Sequence, residues 1–105
     1  MITVNLDLPT DNNDVLNGSA LDPIPYDGLL AIYLASSQRD GILTVGGPAA
    51  SGGALRVNPV LRASGIPDIN ADIPYTLPVR QGQKVIVAYD EVTAGDAFFT
   101  AILTP

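Results

Sequence analysis

The side chains of this sequence that could do chemistry are few, and almost all of them are carboxylates. The 105 residues include eleven Asp and Glu but no His, no Cys and no Trp, and Lys84 is the sole lysine. Imidazole and thiolate groups supply most general bases, nucleophiles and soft metal ligands in proteins. Their absence from the sequence favours a non-enzymatic protein, and we expect no cofactor.

The densest group of oxygen ligands consists of Asp7, Asp11 and Asp14, with Asn12 and Asn13 between them. Calcium accepts such ligands, but an EF-hand loop also requires a Gly at its sixth position and a Glu at its twelfth, and both are missing. Asp and Asn side chains also stabilise turns by bonding to nearby backbone. We favour the turn interpretation and expect no metal site in this segment.

Other acids could form the carboxylate pair of a glycosidase, which needs two carboxyls roughly 5–9.5 Å apart across a cleft. The candidates are Asp68, Asp72, Asp90, Glu91 and Asp96. The sequence does not bring them together, and they lie in segments typical of turns. Ser36 and Ser37 have no His to activate them, and Lys84 is better explained as a solvated surface charge than as a base.

Length and charge restrict the classes of function. A chain of 105 residues, 47% of them hydrophobic and 15% charged, predicts one folded domain over residues 1–105. The net charge of −6 argues against nucleic-acid binding, which needs clustered Lys and Arg. No secretory signal or spanning apolar segment is visible, so we expect a protein that folds in the cytoplasm and does not bind membranes.

Short apolar stretches separated by Gly, Pro, Asn and Asp predict strands and turns. Residues 2–8 alternate between apolar and polar side chains, as in a half-exposed strand. Residues 29–35 are apolar on both faces and predict a central strand covered on both sides. Asn17-Gly18 predicts a tight hairpin with a type I′ turn over residues 15–21.

These elements predict the fold class. Residues 46–53, with the sequence GGPAASGG, predict a mobile surface loop, and four prolines between residues 58 and 78 exclude a long helix there. The spacing of strands and turns is typical of an all-β domain: a small antiparallel β-sandwich or jelly-roll-like barrel of about seven to eight short strands.

The last predicted strand, residues 97–103, is apolar on both faces, although a small sandwich buries one face of each strand. We expect Phe98, Thr100 and Ile102 to lie on the face that a partner covers. Tyr26 and Tyr75 are in Pro-rich segments and are further interface candidates, because Tyr is enriched at interfaces. Packing beneath the irregular segments is the alternative for both tyrosines.

Two segments carry a resemblance to a known type of protein. Residues 13–22, NDVLNGSALD, and residues 82–91, GQKVIVAYDE, resemble small structural proteins of bacteriophage virions, of the capsid decoration, cement or minor capsid type. The resemblance implies a β-rich, non-enzymatic protein on the capsid surface of the virion, assembled in the host cytoplasm. It also implies binding to the major capsid protein or another virion protein and a homo-oligomer, for which we favour a trimer.

A binding module is the alternative function: a β-sandwich of an adhesin or tail fibre that recognises a carbohydrate or a receptor. Exposed aromatic side chains on one sheet face, or stability that depends on calcium, would favour it. An enzyme ranks third, since it would require a pocket with a carboxylate of strongly perturbed pKa.

Overall fold

The computed structural model describes residues 1–36, 41–46, 54–57, 69–70, 72–91 and 97–105. Within these residues the regular structure is entirely β, with no helix, so the predicted all-β class is confirmed. Its strands are β1 (Ile2–Leu8), β2 (Gly28–Ser36), β3 (Gly41–Gly46), β4 (Ala54–Val57), β5 (Tyr75–Val79), β6 (Ile86–Glu91) and β7 (Ala97–Thr104). Apart from Gly46, the predicted mobile loop at residues 46–53 lies outside the described residues.

The strands form two antiparallel sheets. One sheet has four strands in the order β1-β7-β2-β5, and the other has three in the order β4-β3-β6. The last strand, β7, lies between the first two and pairs with both along its length, from Ile2 opposite Leu103 to Leu8 opposite Ala97 on the β1 side. The amino-terminal strand is therefore an edge, and the carboxy-terminal strand is inside the sheet.

Alternation along the strands decides which side chains enter the core. Val87 and Tyr89 of β6, with Val85 just before it, are almost fully buried on one face, as the sequence predicts. These residues join buried side chains of the four-stranded sheet in a single hydrophobic cluster, in which Tyr89 and Phe99 are the largest. Both sheets thus contribute their inner faces to one core.

The segment between β1 and β2 closes this core, and the hairpin predicted at residues 15–21 is wrong. A type I′ turn needs a positive φ at both central residues, but only Gly18 of the Asn17-Gly18 pair has one, at 76°. Successive turns form instead, with Asn17 N donating to Asp14 O (3.2 Å) and Ser19 N donating to Leu16 O (3.0 Å). The reason is burial, since the apolar residues of this segment are core residues: Val15, Leu16, Leu21 and Ile24.

Strand β2 is central in its sheet, as predicted, but it is not covered on both faces. Leu30, Ile32 and Leu34 are fully buried, whereas Leu29 on the other face is 49% exposed. The residues that share the face of Leu29 are only half-buried. The apolar character of this second face is therefore not explained by the core of the described chain.

Candidate functional site

The outer face of the four-stranded sheet carries the predicted interface residues of β7. Phe99, Ala101 and Leu103 point into the core, and the intervening residues point outward. Phe98 is 52% exposed, while Thr100 and Ile102 are half-buried. The structure thus brings Phe98, Thr100 and Ile102 together as one row along the middle of the sheet.

Neighbouring strands extend this row sideways. Asp7 of β1 and Ala35 of β2 lie on either side of Phe98, and Asn5 and Tyr33 lie on either side of Thr100. We call this surface the outer face, and it comprises Thr3, Asn5, Asp7, Leu29, Ala31, Tyr33, Ala35, Thr76, Pro78, Phe98, Thr100, Ile102 and Thr104. Among these described residues Asp7 is the one carboxylate, and none is Lys or Arg.

Polar side chains that can form hydrogen bonds lie along the β1 margin of the outer face. Thr100 Oγ1 donates to Asn5 Oδ1 over 2.8 Å, which fixes the Asn5 amide beside β7. A shallow groove of about 400 Å³ runs along this margin, lined by Asn5, Leu6, Asp7, Phe98, Phe99 and Thr100. An exposed aromatic ring therefore lies next to a carboxylate, an amide and a hydroxyl group.

Tyr26 and Tyr75 do not join this surface. The Tyr26 hydroxyl donates to the Leu103 carbonyl oxygen over 3.1 Å, and both tyrosines are partly buried against the core. Tyr75 is on strand β5 rather than in a loop, opposite the fully buried Ile32, so it faces inward. Their positions support the packing interpretation of the two tyrosines.

The acidic segment at residues 7–14 is divided by the fold. Asp7 is on the outer face of β1, whereas Asn12 Oδ1 accepts a hydrogen bond from the backbone N of Asp14 (3.0 Å) in a local turn. Groups of three or more side chains suited to a metal ion are not found in the described part of the chain. The turn interpretation of Asn12 is thus confirmed.

Lys84 makes an ion-pair cluster that the sequence analysis missed. Its Nζ lies 3.0 Å from Asp14 Oδ2 and 2.9 Å from Asp22 Oδ2. Asp22 Oδ2 also accepts a hydrogen bond from Gly18 N (3.2 Å), so the cluster ties the turns after β1 to the segment between β5 and β6. Lys84 is therefore a partly exposed surface charge, as the sequence suggests, but one that is held by two carboxylates.

The two charges shift one another's proton affinity. The hydrogen bond from Lys84, with that from Gly18, holds the pKa of Asp22 below its ordinary value of 3.8. The hydrogen bonds to Asp22 and then Asp14 raise the pKa of Lys84 above its ordinary 10.5. Both shifts favour the charged forms, so Lys84 remains an ammonium group and is unsuited to act as a base near neutral pH.

Of the acids considered for a carboxylate pair, Asp72 and Asp90 are the two whose side chains the structure describes. Asp72 and Asp90 are exposed. Asp68 and Asp96 lie outside the described residues.

No protein-family model, no curated protein and no solved structure matches this chain. Within the described residues, no helix is long and apolar enough to cross a membrane.

Proposed function

We propose that this protein is a non-enzymatic capsid decoration protein that docks on a virion shell through its outer face. The observation that carries the proposal is the character of this face. On a chain with a net charge of −6, it presents one carboxylate together with Phe98 and Leu29, each about half exposed. Apolar side chains grouped on one face of a small domain are typical of protein–protein contact surfaces.

The proposed architecture is an antiparallel β-sandwich. Its support is the single cluster of buried residues, to which β7 contributes Phe99 and the opposite sheet contributes Leu43 and Tyr89. A sandwich holds the strands of the outer face on a packed core, which gives the face a rigid shape before it meets a partner. Such pre-organisation reduces the entropy lost on docking.

Attachment to a shell needs no chemistry, only repeated contacts. Each copy would dock on the major capsid protein, or another virion protein, through a modest contact area. Copies joined in a homo-oligomer bind several equivalent sites at once, which turns weak single contacts into strong attachment. The proposed location is the capsid surface, with assembly in the host cytoplasm.

The test is to locate the protein on intact particles. Particles purified from the culture that carries this coding sequence would be labelled with gold-tagged antibodies against the recombinant chain and viewed by electron microscopy. Regular labelling of the shell is the expected result. Unlabelled shells, with the protein confined to the particle-free fraction, would reject a role on the capsid.

A carbohydrate-binding module is the second candidate, and the groove along β1 and β7 is the observation that favours it. Sugars stack on exposed aromatic rings and bond to neighbouring carboxylate and amide groups, and Phe98 lies directly beside Asp7 and close to Asn5. Calorimetric titration with oligosaccharides from the host surface tests this function. Binding that Phe98→Ala abolishes would favour the module over the decoration protein.

A further inference from the structure

Strand β1 is an edge strand with few of the usual features that prevent pairing with another chain, since Asp7 is its one charged residue. Its seven residues contain no Pro, Gly or Lys, and all seven are paired with β7 in unbroken register. Its other edge is not paired with any strand of the described sheet. Exposed edges of this kind are templates for an additional strand.

The other edges whose surroundings are described differ from β1. The edge of β6 is covered by residues 12–15: Asn12 and Tyr89 exchange backbone hydrogen bonds of 2.9 and 2.7 Å, and Val15 N donates to Val87 O over 2.8 Å. The edge strand β5 contains Pro78, which has no N–H to offer an additional strand. The residues that flank β4 lie outside the described part of the chain.

The inward side chains of β1 indicate that this edge is incomplete. Ile2, Val4 and Leu6 point to the core side, yet they are only half-buried, whereas Leu8 at the end of the strand is fully buried. In β7, one strand further in, every inward residue is buried. A strand added beside β1 would cover these half-buried apolar side chains.

We propose that the strand that pairs with β1 is β1 of a second copy, antiparallel and related by a two-fold axis at Asn5. This register places Val4 opposite Leu6 of the second copy on the inner side. On the outer side it places Thr3 opposite Asp7 of the second copy and the two Asn5 residues opposite each other. Each apolar residue thus meets an apolar one, and the four-stranded sheet continues into its copy as one eight-stranded sheet.

The acidity of the chain does not oppose this pairing. The two Asp7 carboxylates are each displaced by two residues from the axis in opposite directions. They are therefore four residues apart along the pair, about 13 Å at 3.3 Å per residue, which exceeds the screening length of about 8 Å at physiological salt. Asn5 keeps donor capacity at the axis, because its described bond uses Oδ1 alone.

A closed ring such as a trimer would need β1 to pair with a different edge. Of the other described edges, that of β6 is covered by residues 12–15 and that of β5 is interrupted by Pro78. The edges therefore favour a two-fold dimer over the trimer expected from the family resemblance. This inference concerns self-association and does not depend on docking to a shell.

The test uses opposite charges at one position. Thr3→Lys would place an ammonium group opposite Asp7 of the second copy twice per dimer, and Thr3→Asp would place a like charge there twice. From the energies of cross-strand pairs, we expect Thr3→Lys to lower the dissociation constant of the dimer by roughly two- to thirty-fold. We expect Thr3→Asp to raise it by a similar factor. Sedimentation equilibrium from micromolar to millimolar protein measures both constants.

Thr76→Lys and Thr76→Asp are the matched controls. Thr76 is an exposed residue of β5, the edge strand on the other side of the sheet, and these substitutions change the net charge by the same amount as those at Thr3. The proposal predicts a dimer whose affinity responds in opposite directions at residue 3 and little at residue 76. A wild-type chain that is monomeric up to millimolar concentration, or trimeric, would overturn it. Equal responses at the two positions would also overturn it, since the effect would then reflect net charge alone.

Discussion

Phe98 and Phe99 show how a single step along a strand changes the role of a residue. They are adjacent on β7, but Phe99 is 1% exposed in the core and Phe98 is 52% exposed on the outer face. Successive side chains of a strand point to opposite sides, so the same residue type packs in the core at one position and is exposed on the surface at the next, where we propose that it contacts a partner. Lys84 shows the opposite case, a surface residue that gains a structural role from two distant carboxylates.

The two phenylalanines should respond differently to the same substitution. Phe99→Lys should lower the free energy of unfolding by more than about 3 kcal/mol, because it removes a core ring and buries an unpaired charge. Phe98→Lys should change it by less than about 1 kcal/mol, as an exposed substitution. Lys is preferred to Asp because Asp7 lies directly opposite Phe98, where a second carboxylate would be repelled.

Urea denaturation followed by circular dichroism measures both changes. Two variants that unfold equally easily would show that Phe98 is a core residue in solution, and the assignment of the outer face would then be incorrect.

The cluster around Lys84 predicts a stability difference that depends on pH. The lowered pKa of Asp22 gives a contribution that is present above 3.8 and lost as pH falls through the folded-state value. The raised pKa of Lys84 gives a contribution that is present below 10.5 and lost as pH rises through its folded-state value. Lys84→Met should therefore be less stable than wild type between about pH 5 and pH 9, with a smaller difference outside this range.

The measurement is the denaturation midpoint of both proteins over a pH series. Arg80→Met is the control, since it removes the same charge from an exposed residue in the same segment between β5 and β6. Because the side chains of Lys84 and Asp14 are about one third exposed to water, at 38% and 33%, the effect is expected to be small. A difference for Lys84→Met that is constant with pH, or equal to that of Arg80→Met, would contradict the ion-pair interpretation.

At the scale of elements, patterns within one strand were predictable and contacts between distant segments were not. The period-two pattern of residues 2–8 gives β1 with its bounds, and the same rule separates Val85, Val87 and Tyr89 from their neighbours. The hairpin predicted from Asn17-Gly18 is wrong because burial of the surrounding apolar residues overrode the local turn preference. The Lys84 cluster was missed because Asp22 is 62 residues away in sequence.

Gly28 at the start of β2 should be sensitive to any side chain. A Cβ at this position would overlap the carbonyl oxygen of Thr104 at the end of β7, which is backbone and has little room to move. Gly28→Ala should lower the free energy of unfolding by about 1–3 kcal/mol, as in other overpacked sites. Thermal denaturation measures the change.

Gly46 at the end of β3 is the matched control, because a Cβ there meets no atom within 4 Å. Gly46→Ala should leave stability unchanged or raise it by about 0.4–1 kcal/mol through the unfolded state. Equal losses for both variants would indicate a general intolerance of Ala in these strands rather than a close approach of β2 to β7.

At the scale of the whole molecule, the outer face and the β1 edge are the surfaces on which assembly would depend. The sequence predicted the row of Phe98, Thr100 and Ile102, because a small core buries only one face of a strand and the second apolar face of this strand must therefore lie outside it. It did not predict which residues of β1 and β2 lie beside this row, because strand order depends on contacts between the two ends of the chain. Contacts between distant segments also place Tyr26 and Tyr75 against the core, which agrees with the packing alternative for these two residues.

The most direct test of the central proposal is rebinding of the recombinant chain to particles from which the protein has been removed. Ile86→Lys is the matched variant, since Ile86 is 40% exposed on β6 of the other sheet and the charge change is identical. Phe98→Lys should weaken rebinding by about tenfold or more, as loss of a central aromatic anchor does, while Ile86→Lys rebinds like wild type. Folded Phe98→Lys that rebinds with wild-type affinity would contradict docking through the outer face.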